Sequence, residues 1–109
     1  MDDILRKSML FDYYGELLTE RKRSIMEMYL SDDMSLSEIA ECMKISRAAV
    51  FDALKSAEKK LEGYEEKLGL IKAYERREAL RKRAHELLDG DAAELRSIID
   101  ELTDYKEER

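Results

Sequence analysis

Residues 35–54 constrain the fold of this chain more than any other stretch: Ser-Leu-Ser-Glu-Ile-Ala-Glu-Cys-Met-Lys-Ile-Ser-Arg-Ala-Ala-Val-Phe-Asp-Ala-Leu. Ser35-x-x-Glu38 is a capping box, in which two side chains reciprocally satisfy the orphan backbone donors of a helix start. Leu36, Ile39, Ala40 and Met43 follow at helical spacing and give that helix one apolar face. After the break at Lys44-Ile45, Ser46 caps a second helix whose Val50, Ala53 and Leu54 turn inward. Two short helices, a tight turn and the small Ala40 where they cross spell a helix-turn-helix.

The composition fits an all-helical chain. It holds no proline and four glycines, and 42% of its residues are charged. At 109 residues it is one domain, or a small domain with an appendage. No apolar run approaches the roughly 20 residues that cross a bilayer, and no signal-peptide pattern follows Met1, so the cytoplasm is expected. The single Cys42 has no internal disulfide partner and suits the rim of the helix-turn-helix core as a small apolar filler.

Net charge is −6. Residues 1–60 carry 10 Lys/Arg against 12 Asp/Glu, and residues 61–109 carry 10 against 14. Neither half has the basic footprint of a dedicated DNA binder, and the field of the whole molecule repels nucleic acid.

Taken in order, residues 2–18 read as a first helix striped with Ile4, Leu5, Met9, Leu10, Phe11, Tyr14, Leu17 and Leu18. Its aromatic group Phe11, Tyr13 and Tyr14 suits core packing, with a stacking platform for bases as the alternative. Thr19 caps a second helix to about Leu30 that buries Ile25, Met26, Tyr29 and Leu30. Beyond Ser46, the residues Val50, Leu54, Ala57, Leu61, Tyr64 and Leu68 alternate steps of four and three, forming an apolar seam of nearly three heptads. Gly69 is its natural C-cap. A helix over 70–88, stopped by Gly90, and a last helix begun by the capping box Asp91-x-x-Glu94 complete a helical hairpin. The seam and the hairpin stripes exceed what one small chain hides, which predicts a homodimer. The architecture expected is therefore all-α: a helix-turn-helix domain over 1–69 with an N-terminal helix and an extended second helix, then a hairpin and dimerisation extension over 70–109.

No catalytic constellation is present. His85 is the only histidine, and no second His or Cys stands at ligand spacing, so neither a metal site nor a cofactor is expected and the chain reads as a non-enzyme. No Gly-rich phosphate loop occurs. Binding remains. With Val50, Leu54 and Leu61 inward, the second helix turns Ala48, Phe51, Asp52, Lys55 and Lys59 outward, with Arg47 at the boundary. In a DNA-binding helix-turn-helix this face enters the major groove, where Arg47 meets a guanine or phosphate and Phe51 a thymine methyl. Asp52 repels the backbone unless it accepts from cytosine. A second basic stretch, Arg76, Arg77, Arg81, Lys82 and Arg83, is either a solvated face ion-paired to neighbouring glutamates or a contact for an anionic partner such as RNA.

Leu36-x-Glu38-Ile39-Ala40-Glu41, then Ile45-Ser46-Arg47 and Val50, resembles the helix-turn-helix of bacterial sigma-factor region 4. The wider pattern is more similar to the small YlxM-like proteins: Leu17-Leu18-Thr19-Glu20, Tyr29, Asp32-Asp33-x-Ser35-Leu36, Ser46-Arg47-x-Ala49-Val50-x-Asp52 and Glu58-Lys59-x-Leu61-x-x-Tyr64-Glu65-x-Lys67-Leu68. That resemblance covers about residues 9–70. It implies a cytoplasmic, all-helical, dimeric protein that accompanies or regulates the signal recognition particle, touching its protein or RNA. Where sigma factors place charged or amide base readers, this chain has Ala48, Phe51 and Asp52, and of the family's readers only Arg47 is kept. Lys44 occupies the turn position where both families favour glycine, a left-handed site that costs a side chain about 1–2 kcal/mol.

Overall fold

Four hydroxyl and carboxylate caps set where the helices of this chain begin. The structure is a computed structural model and describes residues 3–88 and 92–106. Those residues form six α-helices and no strand: α1 Asp3–Tyr14, α2 Glu20–Leu30, α3 Leu36–Met43, α4 Arg47–Leu68, α5 Leu70–Glu86 and α6 Ala92–Lys106. Thr19 Oγ1 accepts from the Lys22 amide to open α2, and Ser46 Oγ accepts from the Ala49 amide to open α4. At α3 the capping box is complete, with Ser35 Oγ accepting from the Glu38 amide and Glu38 Oε1 accepting from the Ser35 amide. Lys44 ends α3 at φ 60°, in the left-handed region its turn position requires. Gly69 ends α4 at φ 65°, where a Cβ would be strained.

The first helix is shorter than residues 2–18. It stops at Tyr14 and passes into a 3-10 turn over Gly15–Leu17. The turn starts at Gly15, against which the Phe11 ring lies: a Cβ there would stand 3.0 Å from two ring carbons. Tyr14 and Leu18, on either side of the turn, are both buried in the core.

By its contacts the chain divides into two compact units, residues 1–71 and 72–109. The core of the first draws on every helix in it: Leu10 and Tyr14 from α1, Ile25 and Met26 from α2, Ile39 and Ala40 from α3, Val50, Leu54, Ala57 and Leu61 from α4, and Ile71 at the start of α5. The seam of α4 is thus covered within its own unit as far as Leu61, contrary to the expectation that it outruns a small helical unit. The reason is α1, which packs along α4 in the same direction. Lys7 pairs with Glu58, and seven residues further on along both helices Tyr14 bonds Glu65. Beyond Leu61 the seam thins out, with Tyr64 half-buried and Leu68 exposed.

Where α4 turns into α5, a closed polar cycle holds the chain. The Tyr14 hydroxyl donates to Glu65 Oε1 at 2.5 Å and accepts from the Leu70 amide at 3.0 Å, while Glu65 Oε1 also accepts from the Ile71 amide at 3.0 Å. Two orphan donors of the first turn of α5 are satisfied this way. Burial, together with the hydrogen bond to Glu65, pushes the Tyr14 hydroxyl above the ordinary tyrosine range.

In the second unit, α5 and α6 run antiparallel. Arg76 near the start of α5 pairs with Glu101 late in α6, and Arg83 near the end of α5 pairs with Glu94 at the start of α6. Ile98 is buried, whereas Tyr74, Leu88 and Ile99 are exposed. The predicted stop at Gly90, the Asp91 cap, the Tyr105 side chain and residues 107–109 lie outside what the structure describes.

Candidate functional site

The outer face of α4 is built by the two caps that precede it. Ser35 and Ser46 fix the starts of α3 and α4, and the inward quartet Val50, Leu54, Ala57 and Leu61 locks the rotation of α4 about its axis. Arg47, Ala48, Phe51, Asp52, Lys55 and Lys59 are consequently all exposed. Arg47, Phe51, Lys55 and Lys59 follow one another at steps of four, so they form one row along the helix, about 18 Å long at 1.5 Å per residue.

Within that row the Lys55 ammonium stands 5.5 Å from the centre of the Phe51 ring, over its face. This cation–π contact is worth about 0.5–1 kcal/mol at an exposed site. Phe51 is 48% exposed.

The charges of the face are open. Among the described residues, none of Arg47, Lys55, Lys59 and Asp52 makes an ion pair. The face therefore presents three cations and one carboxylate without ion pairs, beside Glu58 and Glu62, which are held by Lys7 and Arg6, on a chain whose net charge is −6. Its neighbours on α1 behave differently. Arg6 is held by Glu62 at 2.9 Å, and Lys7 by Asp3 at 3.1 Å and Glu58 at 3.2 Å. Burial alone would lower the Lys7 pKa, but the hydrogen bonds it donates to Asp3 and Glu58 outweigh it and raise the value above that of an ordinary lysine.

The second basic stretch is largely neutralised from within. Arg76 is bound by Glu101, Arg81 by Glu78 and Arg83 by both Glu86 and Glu94. Arg77 is half-buried, and Lys82 is exposed without an ion pair among the described residues. The sequence places these five residues together, but the structure turns three of them toward their own glutamates.

Tyr14 is a core residue and Phe11 packs half-buried against Gly15, so the aromatic cluster of α1 is mainly structural; Tyr13 alone is exposed. Cys42 is exposed rather than a filler of the core rim, because α3 turns Ile39 and Ala40 inward and Cys42 falls on the opposite side. His85 is exposed, and no group of three metal-ligating side chains occurs among the described residues. No described helix is long and apolar enough to cross a membrane. The sequence alone did not reveal a recess of about 180 Å³ beside Phe51, lined by Tyr29, Leu36, Leu54, Lys7 and Glu58. Its walls come from four different helices, and no local spacing records their meeting.

Comparison with known proteins agrees with this architecture. The model of a family described as "Putative helix-turn-helix protein, YlxM / p13 like" matches residues 1–102. A protein of that family from Halalkalibacterium halodurans is 43% identical over 104 residues, 94% of this chain and 95% of its own length. One from Geobacillus kaustophilus is 42% identical over 105 residues, 94% of this chain and 96% of its own. One from Caldanaerobacter subterraneus subsp. tengcongensis reaches 55% identity over 74 residues, 68% of this chain, and the match spans 63% of that protein's length. With capped α3 and α4 meeting at a left-handed turn and a family model matching nearly end to end, this chain belongs to the UPF0122 family of YlxM/p13-like helix-turn-helix proteins.

Proposed function

We propose that this chain is an accessory or regulatory protein of the signal recognition particle pathway, binding protein or RNA through the outer face of α4. The observation that carries the binding surface is the row Arg47, Phe51, Lys55 and Lys59, open to solvent and without ion pairs among the described residues, on an otherwise acidic chain. The pathway comes from the resemblance of residues 9–70 to YlxM-like proteins. The acidic balance favours it over promoter reading, since duplex affinity depends on neutralising many phosphates. Capture of partners from cells at physiological salt, with identification of both the proteins and the nucleic acids recovered, tests it. The expected result is recovery of the particle's protein or its RNA, lost in Arg47→Ala/Phe51→Ala/Lys55→Ala; recovery of neither overturns the reading.

A sequence-specific DNA-binding regulator is the second reading, favoured by the exposure of Arg47 in the first turn of α4, where a helix-turn-helix meets base edges. On that reading Arg47→Ala weakens specific duplex binding by about 1–3 kcal/mol. Absence of any duplex binding at low salt removes it. On either reading the protein acts as a homodimer in the cytoplasm, and the exposed Tyr74, Leu88 and Ile99 of the α5–α6 hairpin supply the apolar contact.

A further inference from the structure

The recess beside Phe51 and the open ammonium at its rim identify which partner chemistry fits the α4 face. We infer that this site docks an acidic amphipathic helix of a partner protein, seating one large apolar side chain in the recess with a carboxylate about one turn away on Lys55. The inference rests on the reading that the outer face of α4 is the binding surface, and it deepens that reading by naming the ligand class.

Three observations carry it. First, the recess is of a size for one side chain. Its volume is about 180 Å³, and an apolar protein cavity of about 150 Å³ takes up benzene. Tyr29, Leu36, Leu54 and Phe51 form its apolar side, which is suited to an aliphatic or aromatic group, while Lys7, Lys55 and Glu58 form a charged rim. Second, its two rim lysines are unequal. Lys7 is already held by Asp3 and Glu58, whereas Lys55, although it shares the rim with Glu58, makes no ion pair among the described residues. A ligand carboxylate beside the recess would complete Lys55 without breaking an existing pair. Arg47 and Lys59, eight residues before and four after Lys55, continue the same row and favour further acids along a helix lying in the groove.

Third, the face is a poor platform for a nucleic acid strand. Lys55 occupies one of the two faces of Phe51 that a base could stack on. A phosphate backbone following the row would also meet the open carboxylate of Asp52, which a peptide with spaced charges avoids. The geometry thus favours a protein segment over RNA.

Selection of phage-displayed 16-residue peptides on the purified full chain tests this, followed by fluorescence anisotropy with synthetic copies of the enriched sequences. Enriched peptides are expected to carry Leu, Phe or Trp with Asp or Glu three or four residues away. Phe51→Ala and Lys55→Glu should each weaken such a peptide at least tenfold. A peptide with that acid changed to lysine should recover binding to Lys55→Glu, which mere misfolding would not produce. Lys60→Glu, on α4 away from the recess, should leave affinity within twofold. Enrichment of basic or purely apolar peptides, no selected consensus, or affinities indifferent to Phe51 and Lys55 overturns the inference. So does binding of a 16-nucleotide single-stranded RNA through Phe51 and Lys55 without peptide binding. The measurement uses the chain alone, so it stands apart from capture of the signal recognition particle in cells. Particle recovery that depends on Lys55 while no acidic peptide is selected sinks the ligand class and leaves the pathway intact.

Discussion

Lys44 holds a left-handed conformation with φ 60°, a region that glycine enters without the penalty of a Cβ. The Lys44→Gly variant is therefore expected to gain about 1 kcal/mol, raising the melting temperature by about 4 °C or more in thermal denaturation. No gain would mean that the lysine side chain compensates by a contact of its own. Tyr14 shows the opposite sensitivity. Its hydroxyl joins α1 to the start of α5 through Glu65 and the Leu70 amide, and Tyr14→Phe is expected to cost about 1–3 kcal/mol in denaturant unfolding, as for a buried donor or acceptor left without its partner. The pH dependence follows from the raised pKa of the hydroxyl. The fold disfavours the tyrosinate, so the contribution is complete below the ordinary tyrosine value of about 10 and falls as pH rises above it. Lys7 acts in the same direction, because its raised pKa makes its stabilisation fade as the ammonium deprotonates. Stability should fall above about pH 10, with a shallower slope in Tyr14→Phe than in the parent chain.

At the scale of elements, α4 has two faces whose substitutions should behave oppositely. Leu61 is fully buried under α1, and Leu61→Ala is expected to cost about 2–5 kcal/mol through lost burial and the cavity left behind. Phe51→Ala, on the other side, should change stability by no more than about 0.5 kcal/mol while removing partner binding. Chemical denaturation of both variants checks the pair; equal losses would mean that α4 is rotated from its described register. The caps and inward aliphatics of α3 and α4 are readable because each acts within one helical turn, so Ser35, Glu38, Ser46, Val50 and Leu54 carry their roles in local spacing. The end of α1 is not readable in that way. Its apolar stripe runs on through Leu17 and Leu18, yet the α-helix gives way at Tyr14 to a 3-10 turn that starts at Gly15, where the Phe11 ring packs against the glycine.

For the molecule as a whole, charge and apolar surface govern what it meets. The proposed homodimer should appear in analytical ultracentrifugation at tens of micromolar, and a monomer at that concentration would refute it. A net charge of −6 fixes the sign of the long-range field whatever the fold, and it was legible from composition. The sequence also determined the helix starts, the left-handed stops at Lys44 and Gly69, and the outward set Arg47, Ala48, Phe51, Asp52, Lys55 and Lys59, since all of these depend on residues a few positions apart. Tertiary structure alone decided which cations stay open: three arginines of the 76–83 stretch are taken by glutamates, two of them on their own helix and two across the hairpin, while Lys55 stays open and turns onto Phe51. It alone decided that α1 covers the seam to Leu61 and that four helices leave a recess beside Phe51. The physical reason is range. Caps and periodicity act through neighbouring backbone, whereas ion pairs and cavities depend on side chains brought together from distant parts of the chain.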